Sequence, residues 1–540
     1  MSHRKSWLFS LLFGSLAALA TALPAWSAEQ VYFKFGSLEL PLSVPALAMW
    51  AETGAAEPDL DTYLSLLTSQ QRAQLRELLQ TRYDENYFNL SYMAYTSIGE
   101  RFLKNVGQLV RTRDKGNGFE ELQTAFVNAS KADEGISFIS MLQQYPEDIE
   151  IDVAQILGLA QRAKGLVSET DAFMAKLAEV ATAAAQEQSL DGQKAQLQAG
   201  QSLTASAQQP DLRQKGSLKT VLQPLQVQGS DLKFDLYHPQ QLSRSMPVVV
   251  ITAGFGAEQD FFEDLAHHLA SYGFAVVVPV HAGSNKPRRQ AFFAGQHQEL
   301  FPVTEYIKRP QEVTAVLDDL ERRNAGQFQN QLNLEDVGVF GHSFGGPTAL
   351  SLGGAELNFE QLQQTCEQMD LLNISLYYQC YALELPPQST QLRDRRVKAL
   401  FLLGPFSSSL FGPEEMSKLD LPILWEATDI DLPAPLLLEQ MPTFKGLTTP
   451  DRYLAVSEGL PHAHITFEVI SGLVKEDEVE RLEELSMTYQ KALTVAFFKT
   501  HVAEDEAFRP YLQSSYAQSI SEAPYSLHFL DAEASEKLFE

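Results

Sequence analysis

Short runs of aliphatic residues recur through the second half of the chain, separated by stretches with apolar positions at helical spacing. Val248-Val249-Val250-Ile251, Ala275 to Val280, Val337 to Phe340, Val397 to Leu403, Leu421 to Trp425 and Tyr453 to Val456 read as strands buried on both faces. Asp260 to Ser271, Pro310 to Arg323 and Asp477 to Lys499 read as helices between or after them, and Leu225 to Tyr237 as a hairpin around Gly229-Ser230. Continuous apolar strands alternating with helices predict an α/β class built on a mostly parallel sheet covered on both faces.

The first half is patterned differently. Val31-Tyr32-Phe33-Lys34-Phe35, then Leu38, Leu40 and Leu42, read as a short strand pair around Gly36-Ser37. Helical spacing follows at Ser69 to Leu79 behind a serine cap, at Ile98 to Val110, at Phe119 to Phe126 and at Val153 to Ala185. Residues 29–185 are therefore expected to form a mainly helical domain. Residues 186–215, rich in Gln, Ala and Ser, are expected to be a linker, helical at first and loose at Gln208-Gln209-Pro210. Residues 216–540 are expected to form the α/β domain with an acidic C-terminal tail. No repeat of solenoid length is visible.

Composition narrows the classes. The 540 residues carry a formal charge of −28, which disfavours a nucleic-acid partner, since such a partner needs a basic face. Arg4 and Lys5 precede a largely apolar stretch from Trp7 to Leu23, and Ala25-Trp26-Ser27-Ala28 places small residues at cleavage spacing. Residues 1–28 are expected to be a secretory signal peptide, because the stretch falls short of the ~20 residues of a spanning helix. The mature chain is expected outside the cytoplasm, in the periplasm, the medium or a thylakoid lumen. The two cysteines, Cys366 and Cys380, are expected to pair in that setting.

Gly341-His342-Ser343-Phe344-Gly345-Gly346 follows an apolar run and precedes helix formers. A serine with glycines two before and two after it, at a strand-to-helix junction, predicts the nucleophile elbow of an α/β-hydrolase, with Ser343 as nucleophile. A serine hydroxyl needs a base within reach, and the base needs an orienting acid. In this fold the order is serine, acid, histidine, and only His462, His464, His501 and His528 follow Ser343. His501 falls at the end of a helix and His528 in the tail. His462 and His464 follow a strand, and His462 is the preferred base.

Asp420 and Asp451 precede strands and lie at the wrong end of the sheet. Asp429 and Asp431 follow one, and Asp429, nearer the strand end, is preferred as the acid. The oxyanion donors are expected to be the backbone amides of Phe344 and of Phe255, the latter within Gly254-Phe255-Gly256. That glycine pair lacks the third glycine of a dinucleotide fingerprint, and the adjacent His267-His268 cannot share one helix face, so neither a cofactor nor a metal is expected. Lys286-Pro287-Arg288-Arg289 with Phe292-Phe293 reads as a solvated loop with two packed aromatics. The sharper alternative is a cationic, apolar rim for a phosphorylated or lipid-like substrate.

These motifs resemble the platelet-activating-factor acetylhydrolases and their dienelactone-hydrolase-like relatives. Gly341 to Gly346 carries the resemblance, with Pro279-Val280-His281-Ala282-Gly283-Ser284-Asn285, the strand end at Asp429, and Glu458-Gly459-Leu460-Pro461-His462. The block from Glu29 to about Ala185 resembles the helical domain of unknown function that precedes such hydrolases in cyanobacteria. The resemblance implies an α/β-hydrolase fold and acyl-ester hydrolysis without metal or cofactor, with Ser343, Asp429 and His462 at the triad positions. The chain departs from the family pattern at Ala253, where relatives often carry histidine. It departs again at Glu426-Ala427-Thr428, where Gly-Ser-X is usual before the acid.

The reading is an exported serine hydrolase acting on a small or lipid-like carboxylic ester, with transient contact to a membrane surface compatible with that substrate. The rival class is a non-catalytic binding or scaffolding protein on a hydrolase frame, with the helical block as its interaction surface.

Overall fold

The computed structural model describes residues 28–65, 67–83, 90–130, 136–198, 210–242, 245–387, 391–461 and 476–540. Residues 1–27, expected to belong to a signal peptide, residues 199–209 of the expected linker, and both His462 and His464 lie outside the described residues. The chain divides into two compact units, one up to Ala160 and one from Gln161.

The first unit mixes helices with a small sheet, so it is less purely helical than its periodicity suggests. Strands β1 (Gln30–Phe35) and β2 (Leu38–Ser43) form the expected hairpin, turning at Gly36 with φ +62°. Three further strands escape sequence pattern because they are too short to show a period. These are β3 (Arg82–Tyr83), β4 (Val110–Thr112) and β5 (Ile136–Ser137). The last strand, β6 (Ile149–Asp152), runs parallel to β1 and antiparallel to β4, giving the order β2-β1-β6-β4.

The helix expected to run to Val110 stops at Val106, and Val110 instead opens β4. The cap of helix Ser69–Gln80 is Thr68, whose hydroxyl accepts the Gln71 N–H while Gln71 reaches back to the Thr68 N–H. Val31, Val44, Leu103, Leu122, Tyr145 and Ile149 form one core of this unit, and Leu47, Trp50, Leu60 and Leu64 share another.

Helix Val153–Gln198 continues well past Ala185, so the first half of the expected linker is helical. Within the second unit, Met174, Leu177, Ala181 and Ala185 form a buried stripe along it, spaced as helix turns require. Nearby, Phe173 meets the ring of Phe539 at 6.4 Å. The chain re-enters the described region at Pro210, whose carbonyl accepts from the Tyr511 hydroxyl at 3.0 Å.

The second unit is a nine-stranded sheet among the described residues. Strands β7 (Thr220–Gln226) and β8 (Lys233–Pro239) form the expected hairpin, and β9 (Met246–Thr252), β10 (Ala275–Pro279), β11 (Leu332–His342), β12 (Val397–Leu403), β13 (Ile423–Thr428) and β14 (Arg452–Ser457) follow. From β10 through β9, β11, β12 and β13 to β14 every neighbour pairing is parallel. A last strand, β15 (Leu527–Leu530), adds antiparallel to β14. The acidic C-terminal segment is thus part of the sheet, a role its charge conceals and its Leu-His-Phe-Leu run supplies.

The sheet core is aliphatic and aromatic, with Val249, Ile251, Val276, Phe340, Phe401, Leu424 and Ala455 all buried. Helix Glu305–Gln327 begins five residues before its internal Pro310. Its first turn is anchored by side chains, with the Tyr306 hydroxyl donating to the Tyr378 carbonyl at 2.6 Å.

Cys366 and Cys380 form a disulfide between helix Phe359–Glu367 and helix Ser375–Tyr381, inserted between the helix after the elbow and β12. The link closes a loop of sequence separation 14. Replacing both cysteines with serine is expected to lower the unfolding free energy by ~3 kcal/mol in the loop-entropy model. Denaturant melts of parent and double variant measure this. Coincident midpoints would contradict it.

Candidate active site

The elbow is built by close packing. Strand β11 ends at His342, helix Gly345–Gly353 follows, and Ser343 between them has φ +51°, the left-handed region that a residue with a Cβ rarely enters. Such a backbone costs on the order of 1–3 kcal/mol and persists only where its surroundings enforce it. Here they do. The Ser343 N–H donates to the Leu403 carbonyl of β12 at 2.9 Å, and the Ser343 carbonyl accepts from Gly346 at 2.8 Å. A Cβ on Gly341 would lie 2.5 Å from the Gly345 carbonyl oxygen, and one on Gly345 would overlap the Thr252 carbonyl oxygen of β9. Both glycines flanking the serine are therefore required by backbone approach, and Ser343 is left half-exposed at the carboxyl end of β11.

The loop after β9 passes directly against this turn, since a Cβ on Gly254 would lie 3.1 Å from the Ser343 Cβ. Gly256, at φ +72°, donates its N–H to the Ser284 carbonyl at 2.8 Å and fixes the far side of the loop. Neither the Phe255 nor the Phe344 amide meets a backbone acceptor among the described residues. The Phe344 amide stands at the N-terminus of helix Gly345–Gly353, whose dipole favours a negative charge there.

Asp429 follows β13 directly, and its Oδ1 accepts the Gly459 N–H at 2.7 Å. Burial holds its carboxyl above the ordinary aspartate value; the Gly459 hydrogen bond opposes that and neighbouring Glu458 adds to it. Asp431 is turned to a structural task. Its Oδ1 accepts the Ala434 N–H at 2.7 Å and its Oδ2 accepts from the Gln440 amide at 3.0 Å.

Strand β13 lies two places from β11, about 10 Å at ordinary strand spacing, so a side chain must bridge Asp429 and Ser343. The loop after β14 heads that way. The Thr428 hydroxyl at the end of β13 donates to the Leu460 carbonyl, which brings the chain beside Asp429 two residues before His462.

Five described histidines are engaged elsewhere. His528 sits on β15, four strands from β11 and about 19 Å away, with its Nε2 3.6 Å from Glu458. His501 meets the Tyr453 hydroxyl at 3.2 Å. His281 is buried with Nδ1 2.7 Å from Glu312 and Nε2 3.0 Å from Thr252 Oγ1, and burial lowers its pKa to about 4. His268 contacts the Leu212 carbonyl at 3.0 Å, and His267 contacts Thr220 at 2.7 Å. No group of three or more His, Cys, Asp or Glu side chains arranged to hold a metal occurs among the described residues.

The basic cluster is not the solvated loop expected, because Asn285 caps a helix there, Lys286–Phe293. Arg288 donates to the Glu299 and Leu300 carbonyls, Lys286 pairs with Glu258 at 3.3 Å, and Phe292 is fully buried.

Sequence pattern missed two buried polar groups of residues. One, under the loop after β9, comprises His281, Glu305, Arg309 and Glu312. The other lies behind the elbow. Glu426 of β13 faces a cavity of about 20 Å³ shared with His342, Ser457 and Gln490. Its Oε2 has no hydrogen-bond partner among the described residues, and burial pushes its pKa up to about 8. A charge inside a strand run is the only signal the sequence offers for it.

Two family models match the chain. Residues 234–365 match the dienelactone hydrolase family, and residues 27–152 match a family described as "Alpha/beta hydrolase of unknown function (DUF1400)". The chain thus carries a dienelactone hydrolase family domain behind an N-terminal domain of the second kind. The first match spans Phe255, Ser343 and Phe344 and ends before Asp429 and His462. No curated protein matches the chain.

Glu426 sets a pH dependence of stability. The unfolded chain releases this proton near 4.5 and the folded chain near 8, so stability falls as pH rises between those values and levels off above. Glu426→Gln removes that slope. The variant's melting temperature, relative to the parent's, is expected to rise by several degrees from pH 5 to pH 8. A difference that stays constant across this range would contradict the assignment.

Proposed function

We propose that the protein is an exported serine hydrolase that cleaves carboxylic esters through an acyl-enzyme. The observation that carries this reading is the left-handed backbone at Ser343, wedged between β9, β12 and its own helix, with the Gly254 loop against it. A conformation this costly, enforced by close backbone packing, points to function rather than to stability. The dienelactone hydrolase family match supports the hydrolase class. The disulfide between Cys366 and Cys380 is consistent with an oxidising compartment.

In this mechanism the Ser343 oxygen attacks the acyl carbon while His462 takes its proton. Asp429 holds the imidazole in the required tautomer and stabilises it once charged. The Phe255 and Phe344 N–H groups donate to the developing oxyanion, and each such donor contributes ~3 kcal/mol to the transition state. His462 then gives its proton to the departing alcohol, and a water activated by the same imidazole releases the acid. Ile430 and Leu432, both exposed and flanking the acid's loop, support an apolar acyl or lipid-like substrate.

Purified mature protein assayed on p-nitrophenyl esters of two to twelve carbons tests this. Ser343→Ala is expected to lose turnover by at least roughly a thousandfold without loss of fold. Asp429→Asn is expected to lower kcat by roughly 10²–10⁴, and Asp431→Asn by far less. Parent-like rates in the serine variant, or a parent chain inert toward every ester, would favour the binding or scaffolding reading instead.

A further inference from the structure

Arg309 lies on helix Glu305–Gln327 beneath the two loops that carry the oxyanion amides, and it is 1% exposed. Its Nη2 donates to the Ala253 carbonyl and lies 3.4 Å from Thr252 Oγ1. Its guanidinium carbon stands 4.7 Å from the centroid of the Phe344 ring. One buried cation thus touches the peptide two residues ahead of Phe255 and the side chain of Phe344. The two donors are also joined on their other side. Phe301 meets Phe255 at 5.5 Å and Phe344 at 4.8 Å between ring centroids.

A purely structural role accounts poorly for this arginine. Burying a guanidinium costs several kcal/mol unless it is paired and fully hydrogen-bonded. Here Nε and Nη1 have no hydrogen-bond partner among the described residues, and no described carboxylate comes within ion-pairing distance. Glu305 and Glu312 act on it only from further off, and burial lowers its pKa to about 10, so the group stays charged. A packed apolar side chain would serve the core better. A positive charge held in low dielectric gains most when negative charge develops nearby, as on a tetrahedral intermediate.

We propose that Arg309 is a positioning residue for the oxyanion hole, fixing the Ala253 peptide and the Phe344 ring so that both amides converge, and placing fixed positive charge behind them. The proposal rests on the ester-hydrolase reading. Holding the Ala253 carbonyl back toward the helix sets the course of the next two peptides, and so the aim of the Phe255 N–H. The cation under the Phe344 ring resists rotation of the elbow peptide on the opposite side.

The test compares full-length mature protein with Arg309→Met, which keeps bulk and removes charge and donors, and Arg309→Lys, which keeps the charge but not the planar contact. Steady-state kinetics are measured on the best p-nitrophenyl ester, together with inhibition by an aryl trifluoromethyl ketone, which forms a tetrahedral adduct. The Met variant is expected to lose kcat by about 10²-fold with KM within about twofold, comparable to loss of one oxyanion donor. Ketone affinity is expected to fall by a similar factor, and the Lys variant to recover part of both losses.

A folded Met variant with kcat and ketone affinity within threefold of the parent would overturn the proposal. So would parallel losses in kcat and in folded fraction with ketone affinity unchanged. If the Met variant does not fold, the Lys variant decides by the same criteria, and failure of both to fold assigns Arg309 to the core alone. Ser343→Ala is run alongside. Turnover surviving there rejects the ester-hydrolase reading itself, whereas an inert serine variant beside an active Met variant rejects only the role of Arg309.

Discussion

The Thr252 carbonyl at the end of β9 and the Gly345 backbone at the start of the elbow helix approach too closely for a side chain between them. That approach forces the turn at Ser343 into its left-handed form, and everything at the carboxyl edge of the sheet is arranged around it. The serine projects because the chain cannot bend any other way there. The Gly254 loop can lie beside it because β9 and β11 are direct neighbours in the sheet. The strain at one residue is thus supported by the register of three parallel strands, and the turn inherits the rigidity of the sheet.

The polar groups under this edge follow the same logic. A protein interior disfavours lone charges, yet Arg309 and Glu426 are both buried next to the elbow's supporting loops. Glu426 meets the penalty by keeping its proton, and Arg309 by remaining charged beside a carbonyl and an aromatic face. Both place polarity where apolar packing would have been more stable. Concentrating such costs around one turn is what the proposed active site leads one to expect.

Much of this was legible in the residues, for definable reasons. Strands buried on both faces leave unbroken aliphatic runs, so β9 to β14 stand out. The glycines at 341 and 345 mark the elbow because their spacing answers to a steric demand. The preference for Asp429 over Asp431 follows from distance to a strand end, whereas the hydrogen bonds of Asp431 to Ala434 and Gln440 have no sequence signal. What escaped was short or non-local. Strands of two to four residues in the first unit show no period. The run Leu527 to Leu530 is masked by its acidic neighbours and gains its place only by pairing with β14. Arg309 falls one residue before the helix expected from Pro310, and nothing in the sequence marks it, because burial of a single side chain depends on what packs above it.

Peptide mapping by mass spectrometry of the purified protein after reaction with a fluorophosphonate addresses the central claim most directly. The account predicts one covalent adduct per chain, on Ser343, that is lost after prior denaturation. An intact, folded protein that remains unmodified at Ser343, or carries its adduct on another serine, would contradict it.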